Sequence, residues 1–81
     1  MRGLDNTQSE RRCIMRNYLK NRRKEIGKTQ ANVAMELNVS ESYYNLLEAG
    51  KRQRILRADM ICKLSDVLGI SIEEIIKEER G

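Results

Sequence analysis

The chain has 81 residues, of which 16 are Lys or Arg and 12 are Asp or Glu, and its formal net charge is +4. A chain of this length forms one small domain and buries only about 60% of the surface that it exposes when unfolded, so its core must be compact. His is absent, and the two cysteines, Cys13 and Cys62, lack metal-ligand spacing, which excludes the common metal sites and His-dependent catalytic sites. We therefore expect no enzyme, no metal and no cofactor.

The residue types favour helices. Trp, Phe and Pro are absent and only three tyrosines occur, so aliphatic residues and Met must fill the core among many good helix formers. No apolar signal region follows the N-terminus, and no apolar run is long enough to cross a membrane. We therefore expect a cytoplasmic protein with reduced thiols and no membrane partner.

The charges are unevenly distributed along the chain. Residues 1–28 carry nine basic and three acidic side chains, residues 29–50 carry three acidic and no basic ones, and residues 51–67 carry five basic and two acidic ones. Two basic blocks thus flank a stretch without cations, which is compatible with phosphate-binding surfaces on either side of a recognition element. Solvated helix faces give the same pattern, so the charge alone leaves the function open.

The N-terminal half is predicted to contain an arm and two helices. Residues 1–13 are expected to form the arm and the start of the first helix, and the folded domain extends over 14–81. The first helix is expected over about 10–25, and Gly27 supplies a natural C-terminal stop. A second, short helix over 30–37 would bury three apolar side chains, those of Val33, Ala34 and Leu37.

A tight turn and a third helix follow. In the turn, Asn38 tolerates the left-handed backbone conformation and Ser40 can cap the next helix. The third helix is expected over 41–49, with Gly50 just beyond its end. The side chains on one face of this helix are Tyr44, Leu47 and Glu48. The other face carries Glu41, Ser42, Asn45 and Ala49, with Leu46 at its margin.

The C-terminal part is predicted to contain two more helices. After a basic connection over 51–56, a fourth helix is expected over about 57–68 and is ended by Gly69. A capping box at Ser71 opens the last helix. The apolar residues of this helix, which could form a dimer interface or complete the core of the monomer, are Ile72, Ile75 and Ile76. The pattern as a whole predicts an all-α, compact five-helix domain.

The second and third helices and the turn between them have the lengths of a helix-turn-helix, whose second member can enter the major groove of DNA. Spacing alone is a weak indication because other helical hairpins share it. The segment TQANVAMELNVSESYYNLLEAGKR (29–52) also resembles the helix-turn-helix of the phage-repressor and Cro type, the Xre-like family. The matching features are Thr29-Gln30, Val33-Ala34, Asn38-Val39-Ser40, Leu47-Glu48-Ala49-Gly50 and, upstream, Arg23.

The resemblance extends over about 14–78 and implies a repressor-like domain with its helix-turn-helix at 29–50. Three departures from the family pattern are visible, one of which is Ser65 at a position where Ala is common. Asn38 stands where the family usually has Gly, a change that a left-handed turn tolerates. The connection after Gly50 is about two residues longer than usual and lacks the customary Pro.

The resemblance also implies which side chains of the third helix contact bases, namely Glu41, Ser42, Asn45 and Leu46. Ser and Asn offer donors and acceptors to base edges, and Asn suits adenine. Glu41 could accept from a cytosine amino group, bond Gln30, or stabilise the helix dipole. Leu46 could touch a thymine methyl group or pack against the protein.

Phosphate contacts are expected from five residues: Gln30, Tyr43, Lys51, Arg52 and Arg54. In the family, the residue at the position of Gln30 bonds a phosphate and braces a side chain at the start of the reading helix. Tyr43 could donate to a phosphate or cover the hydrophobic seam. Arg52 and Arg54 are the better candidates after the third helix, because the guanidinium fork suits phosphate.

The resemblance further implies a structural ion pair between Arg23 and Glu48, partly buried, that ties the first helix to the end of the third. Loss of either partner would leave the other charge uncompensated. Arg23 could also reach a phosphate. The remaining basic residues of this region are each expected to be solvated; they are Arg12, Arg16, Lys20 and Lys28.

These features predict a transcriptional regulator that binds specific double-stranded DNA, as a dimeric repressor that reads a palindromic operator through the helix 41–49. One reading helix covers only a few base pairs, so the pairing of two copies is the usual solution. The alternative is a protein-binding adaptor or antitoxin-like partner with the same fold, which the absence of Lys and Arg from the third helix favours. No small-molecule ligand is expected.

Overall fold

The computed structural model describes residues 15–80. Five α-helices lie in this range: α1 (Asn17–Glu25), α2 (Gln30–Leu37), α3 (Glu41–Glu48), α4 (Ala58–Leu68) and α5 (Ile72–Arg80). No strand occurs among these residues. The prediction of an all-α, five-helix domain of the repressor type is confirmed.

The boundaries of the later helices follow local signals in the sequence. The second helix has the predicted bounds, and the third and fourth differ from them by one residue. At the end of α4, Gly69 adopts the left-handed conformation, with a φ of 68°. At the start of α5, the Ser71 hydroxyl accepts a hydrogen bond from the N–H of Glu74 at 3.0 Å, as the capping box predicts.

The prediction of one continuous helix over about 10–25 is wrong at its N-terminal side. Met15 and Arg16 are not helical, and α1 begins at Asn17. The main-chain N–H of Arg16 instead donates to the carbonyl oxygen of Glu48 at 2.7 Å, a bond to a distant part of the chain that no local pattern reveals. The predicted arm over 1–13 lies outside the described residues.

Side chains from all five helices meet in one core. The largest fully buried residues are Tyr44, Leu19, Leu37, Leu47, Leu64, Leu68, Ile75 and Val33. Complete burial of a side chain such as Leu contributes about 1.5–3 kcal/mol relative to its exposure, so this core accounts for much of the stability. In α5, Ile75 completes the core, whereas Ile72 and Ile76 remain exposed at the surface. None of the helices within residues 15–80 has the length and apolar character needed to cross a membrane.

Candidate nucleic-acid interface

Three local features determine where α2 begins and how the chain turns from α2 into α3. Thr29 Oγ1 accepts from the N–H of Asn32 at 3.0 Å, and Asn32 Oδ1 accepts from the N–H of Thr29 at 3.2 Å, so the start of α2 is capped reciprocally. At the end of α2, Asn38 has a φ of 63° and takes the left-handed position. The Ser40 hydroxyl then accepts from the N–H of Tyr43 at 3.0 Å and caps α3. The left-handed Asn38 and the Ser40 cap together determine how α3 leaves α2.

A shallow concavity of about 420 Å³ lies where the start of α2 meets the outer face of α3. The side chains that line it are Gln30, Glu41, Ser42, Asn45 and Leu46. The structure thus brings together the four residues that the sequence predicts as base contacts, with Gln30 beside them. Glu41, Ser42 and Asn45 are exposed and Leu46 is half-buried, so the surface offers polar groups to a base edge beside one apolar contact.

Four side chains form a hydrogen-bonded relay from α1 to this concavity, in the order Arg23, Glu48, Gln30 and Asn45. The guanidinium of Arg23 donates to Glu48 Oε2 at 2.7 Å and to Oε1 at 3.4 Å. Gln30 Nε2 donates to Glu48 Oε1 at 2.9 Å, and Asn45 Nδ2 donates to Gln30 Oε1 at 3.1 Å. Arg23 and Glu48 are buried, so the relay anchors the exposed amide of Asn45 to the interior.

The residue that Gln30 braces differs from the one that the resemblance implies. The expected position is at the start of the reading helix, and Glu41 is the candidate there. In the structure Gln30 instead bonds Asn45, in the middle of α3, and Glu48 at its end. Glu41 lies exposed in the first turn of α3, where a carboxylate stabilises the positive end of the helix dipole.

The carboxyl group of Glu48 is only 5% exposed, and two opposing effects set its pKa. Burial by itself would raise its pKa. The hydrogen bonds from Arg23 and Gln30 act in the opposite direction and outweigh burial, so the pKa of Glu48 lies below its ordinary value. At neutral pH the Glu48 carboxylate is therefore stabilised by Arg23 of α1 and Gln30 of α2.

After α3 the chain folds back onto Tyr43. The Arg52 guanidinium lies over the ring of Tyr43, 5.7 Å from its centroid, within the range of a cation–π interaction. The Tyr43 hydroxyl accepts from Gln53 Nε2 at 2.8 Å, and this bond does not use the proton of the hydroxyl. Gln53 Oε1 in turn accepts from the N–H of Arg57 at 3.0 Å, ahead of α4.

The cations predicted to contact phosphates lie in this returning segment. Lys51, Arg52 and Arg54 are all exposed and follow directly after α3, which has no cation of its own. Gln53 between them has a φ of 49°, an uncommon conformation for a residue with a side chain. The segment that carries the cations thus has a defined, irregular path of its own.

The expectation that Arg16 is solvated is wrong. Arg16 is 6% exposed, and its guanidinium bonds Glu79 of α5 and several main-chain carbonyls. Lys28 Nζ lies 2.7 Å from Glu36 Oε1 in an ion pair that water reaches, because the side chain of Glu36 is exposed. Arg12 lies outside the described residues. Sequence reasoning missed the role of Arg16 because Glu79 is 63 positions away and no local spacing connects the two.

A comparison with models of protein families shows which family the chain belongs to. The model of the family described as Helix-turn-helix matches residues 19–75. The chain belongs to this family. The match contains the whole of α2, α3 and α4, and the prediction of an Xre/Cro-like member is confirmed. No curated protein and no solved structure matches the chain.

As an Xre-type helix-turn-helix protein, the chain is a DNA-binding regulator whose partner is double-stranded DNA. The family consists of DNA-binding domains and not of enzymes. Within residues 15–80, no group of His, Cys, Asp or Glu side chains is arranged to hold a metal ion.

The lowered pKa of Glu48 predicts how stability depends on pH. The stabilising ionisation of Glu48 is complete above the unfolded-state pKa, about 4.3, and is lost as the pH falls through the lower pKa of the folded state. We expect Glu48→Gln to be less stable than the wild type at pH 7 and to lose less stability between pH 5 and pH 3. Urea titrations at pH steps measure both slopes; parallel curves for the two proteins would contradict the prediction.

Proposed function

We propose that the chain is a transcriptional repressor that binds a palindromic operator as a homodimer and reads bases through α3. The observation that supports base reading is that a hydrogen bond to Gln30 fixes the side-chain amide of Asn45. Because Asn45 uses one amide hydrogen to bond Gln30, its Oδ1 and its other amide hydrogen can pair with the N6 and N7 edge of adenine. Ser42 and Leu46 supply a polar and an apolar contact in the same concavity.

The affinity is proposed to come from contacts with the DNA backbone around this concavity. Lys51, Arg52 and Arg54 would bind phosphates on the C-terminal side of α3, and Tyr43 would donate its hydroxyl proton to a phosphate there. On the side of α2, the second amide hydrogen of Gln30 would do the same. Such contacts position the protein on the duplex but carry no sequence information.

The homodimer is supported by apolar residues at the surface. Ile55, next to Arg54, is 87% exposed, and a groove of about 240 Å³ separates it from Ile61 and Ile76. A second copy seated on this groove would bury the exposed isoleucines close to the segment that binds phosphate. A two-fold arrangement of that kind presents two reading helices to one duplex.

Selection of bound sequences from random duplex DNA tests this proposal. We expect a palindromic motif whose half-sites lie about 10 base pairs apart, one helical turn from centre to centre. Asn45→Ala should relax one position in each half-site, by about 1–3 kcal/mol of discrimination, without moving the half-sites. A motif with one half-site only would contradict the dimer.

A protein-binding adaptor is the second candidate, because α3 (Glu41–Glu48) carries no Lys or Arg. Its expected result in the same experiment is the recovery of no motif, with salt-insensitive or absent binding to any duplex. That outcome would exclude the repressor and favour the adaptor.

A further inference from the structure

Arg16 makes more polar contacts than any other side chain near α3. Its Nε donates to Glu79 Oε2 at 2.8 Å, and its Nη2 donates to Oε1 of the same carboxylate at 3.1 Å. Its Nη1 donates to the carbonyl oxygens of Leu47 at 2.8 Å and Arg52 at 3.1 Å, and Nη2 also donates to that of Gln53. One buried guanidinium thus joins the end of α3, the basic segment behind it and the end of α5.

These contacts fall where the basic segment needs support. The carbonyls of Arg52 and Gln53 lie in an irregular stretch that no helix stabilises, and Gln53 has a positive φ. The side chain of Arg52 is exposed and lies over the ring of Tyr43, while its main-chain carbonyl accepts from Arg16. Removal of the Arg16 guanidinium would therefore free the backbone of the basic segment, although the side chains of Arg52 and Arg54 would still be present.

We propose that Arg16 is a positioning residue for DNA binding, which holds the backbone of the segment 51–54 so that Arg52 and Arg54 meet phosphates in one fixed arrangement. This inference rests on the proposed function of that segment. Glu79 orients the guanidinium from the opposite side, so the last turn of α5 is linked to the phosphate contacts through a single side chain. If Arg16 only stabilised the fold, its loss would instead destabilise all parts of the domain equally.

The test compares Arg16→Gln with Arg22→Gln as a matched control. Both variants remove one guanidinium, at the start of α1 or within it, that bonds a carboxylate and at least one distant carbonyl. The partners of Arg22 are Glu25 and Leu68, so Arg22 does not touch the basic segment. On the selected operator, we expect Arg16→Gln to bind roughly tenfold more weakly, since ordering even one backbone residue on binding costs about that factor. Arg22→Gln should stay within about twofold of the wild type, because Arg22 makes no contact with the basic segment and its charge is screened by salt.

Hydrogen exchange of single amides provides a readout that does not need DNA. We expect the amides of Lys51, at the start of the basic segment, and of Arg57, after its end, to exchange faster in Arg16→Gln while the amides of α4 keep their rates. Arg16→Lys should recover part of both the affinity and the protection, since an ammonium can still donate to the carbonyls but lacks the fork. Equal acceleration in every helix, or operator affinity equal to that of the wild type, would overturn the proposal.

A third variant, Glu79→Gln, tests the proposal if Arg16→Gln fails to fold. It keeps the shape of the side chain but removes its charge and one of the two acceptor oxygens that bond Arg16 and Tyr18, so we expect a smaller change in the same two amides and in operator affinity. Unchanged exchange and affinity in a folded Glu79→Gln protein would overturn the link to α5. If the wild type binds no duplex, the proposed function fails, and the exchange rates still decide whether Arg16 holds the segment.

Discussion

Glu48→Ala is expected to lower the free energy of unfolding by about 3–5 kcal/mol, because it leaves the guanidinium of Arg23 buried without its carboxylate. Arg23 is 8% exposed and Glu48 is 5% exposed, and Glu48 also accepts from Gln30 at 2.9 Å. Water cannot readily replace these bonds at a position that the core covers. Chemical denaturation at pH 7 measures the loss, which is a large part of the 5–15 kcal/mol that stabilises a typical domain.

The ion pair of Lys28 and Glu36 provides the control. Its shortest N–O distance is 2.7 Å, the same as that of Arg23 and Glu48, but the side chain of Glu36 is 43% exposed. Glu36→Ala should therefore cost only about 0–1 kcal/mol, as is usual for pairs that water can solvate. If the two variants lost equal stability, burial would not be the source of the strength of the Arg23–Glu48 pair.

Replacement of both Arg52 and Arg54 by Ala is expected to weaken DNA binding about 50-fold at 0.1 M salt. Each phosphate contact contributes about 0.9 to the slope of log K against log salt, so the loss of two contacts reduces the slope by about 1.8. Both side chains are exposed and neither forms an ion pair within residues 15–80, so their removal leaves the fold intact. Titrations of a duplex at several salt concentrations measure the affinity and the slope together.

The matched control is the double variant Lys63→Ala and Lys77→Ala. These lysines are also exposed, but they lie on α4 and α5, and neither lines the concavity. The control removes the same charge, so its slope should remain close to that of the wild type. Equal reductions in slope for the two double variants would mean that net charge, and not contact, accounts for the affinity.

Local chemistry explains why most of the fold could be predicted. The Asn at position 38, the Ser at 40 and the Gly at 69 act on their own neighbours, and each marks a helix boundary in the structure. The apolar spacing of α2 likewise identifies its buried face. The four base-contact candidates lie in one concavity because they share one face of a helix whose start is capped by Ser40.

The part that could not be predicted depends on long side chains that reach across the fold. The Arg16 side chain looks like any other cation in a basic block, and only the packing of α5 against the start of α1 brings Glu79 to it. Arg22 is similar, since its Nε donates to the carbonyl of Leu68 at 2.8 Å. Bonds of this kind join positions tens of residues apart, so no periodic pattern in the sequence signals them.

The hydrogen-bonded relay that ends at Asn45 has a consequence for how the specificity of such a protein can diversify. A new side chain at position 45 meets not only a different base but also Gln30, whose carbonyl oxygen loses its donor. Gln30 is in turn bonded to Glu48, so a misfit at position 45 is transmitted toward the buried pair. Positions 45 and 30 are therefore coupled, and a library that redirects this protein to other operators should vary them as one unit.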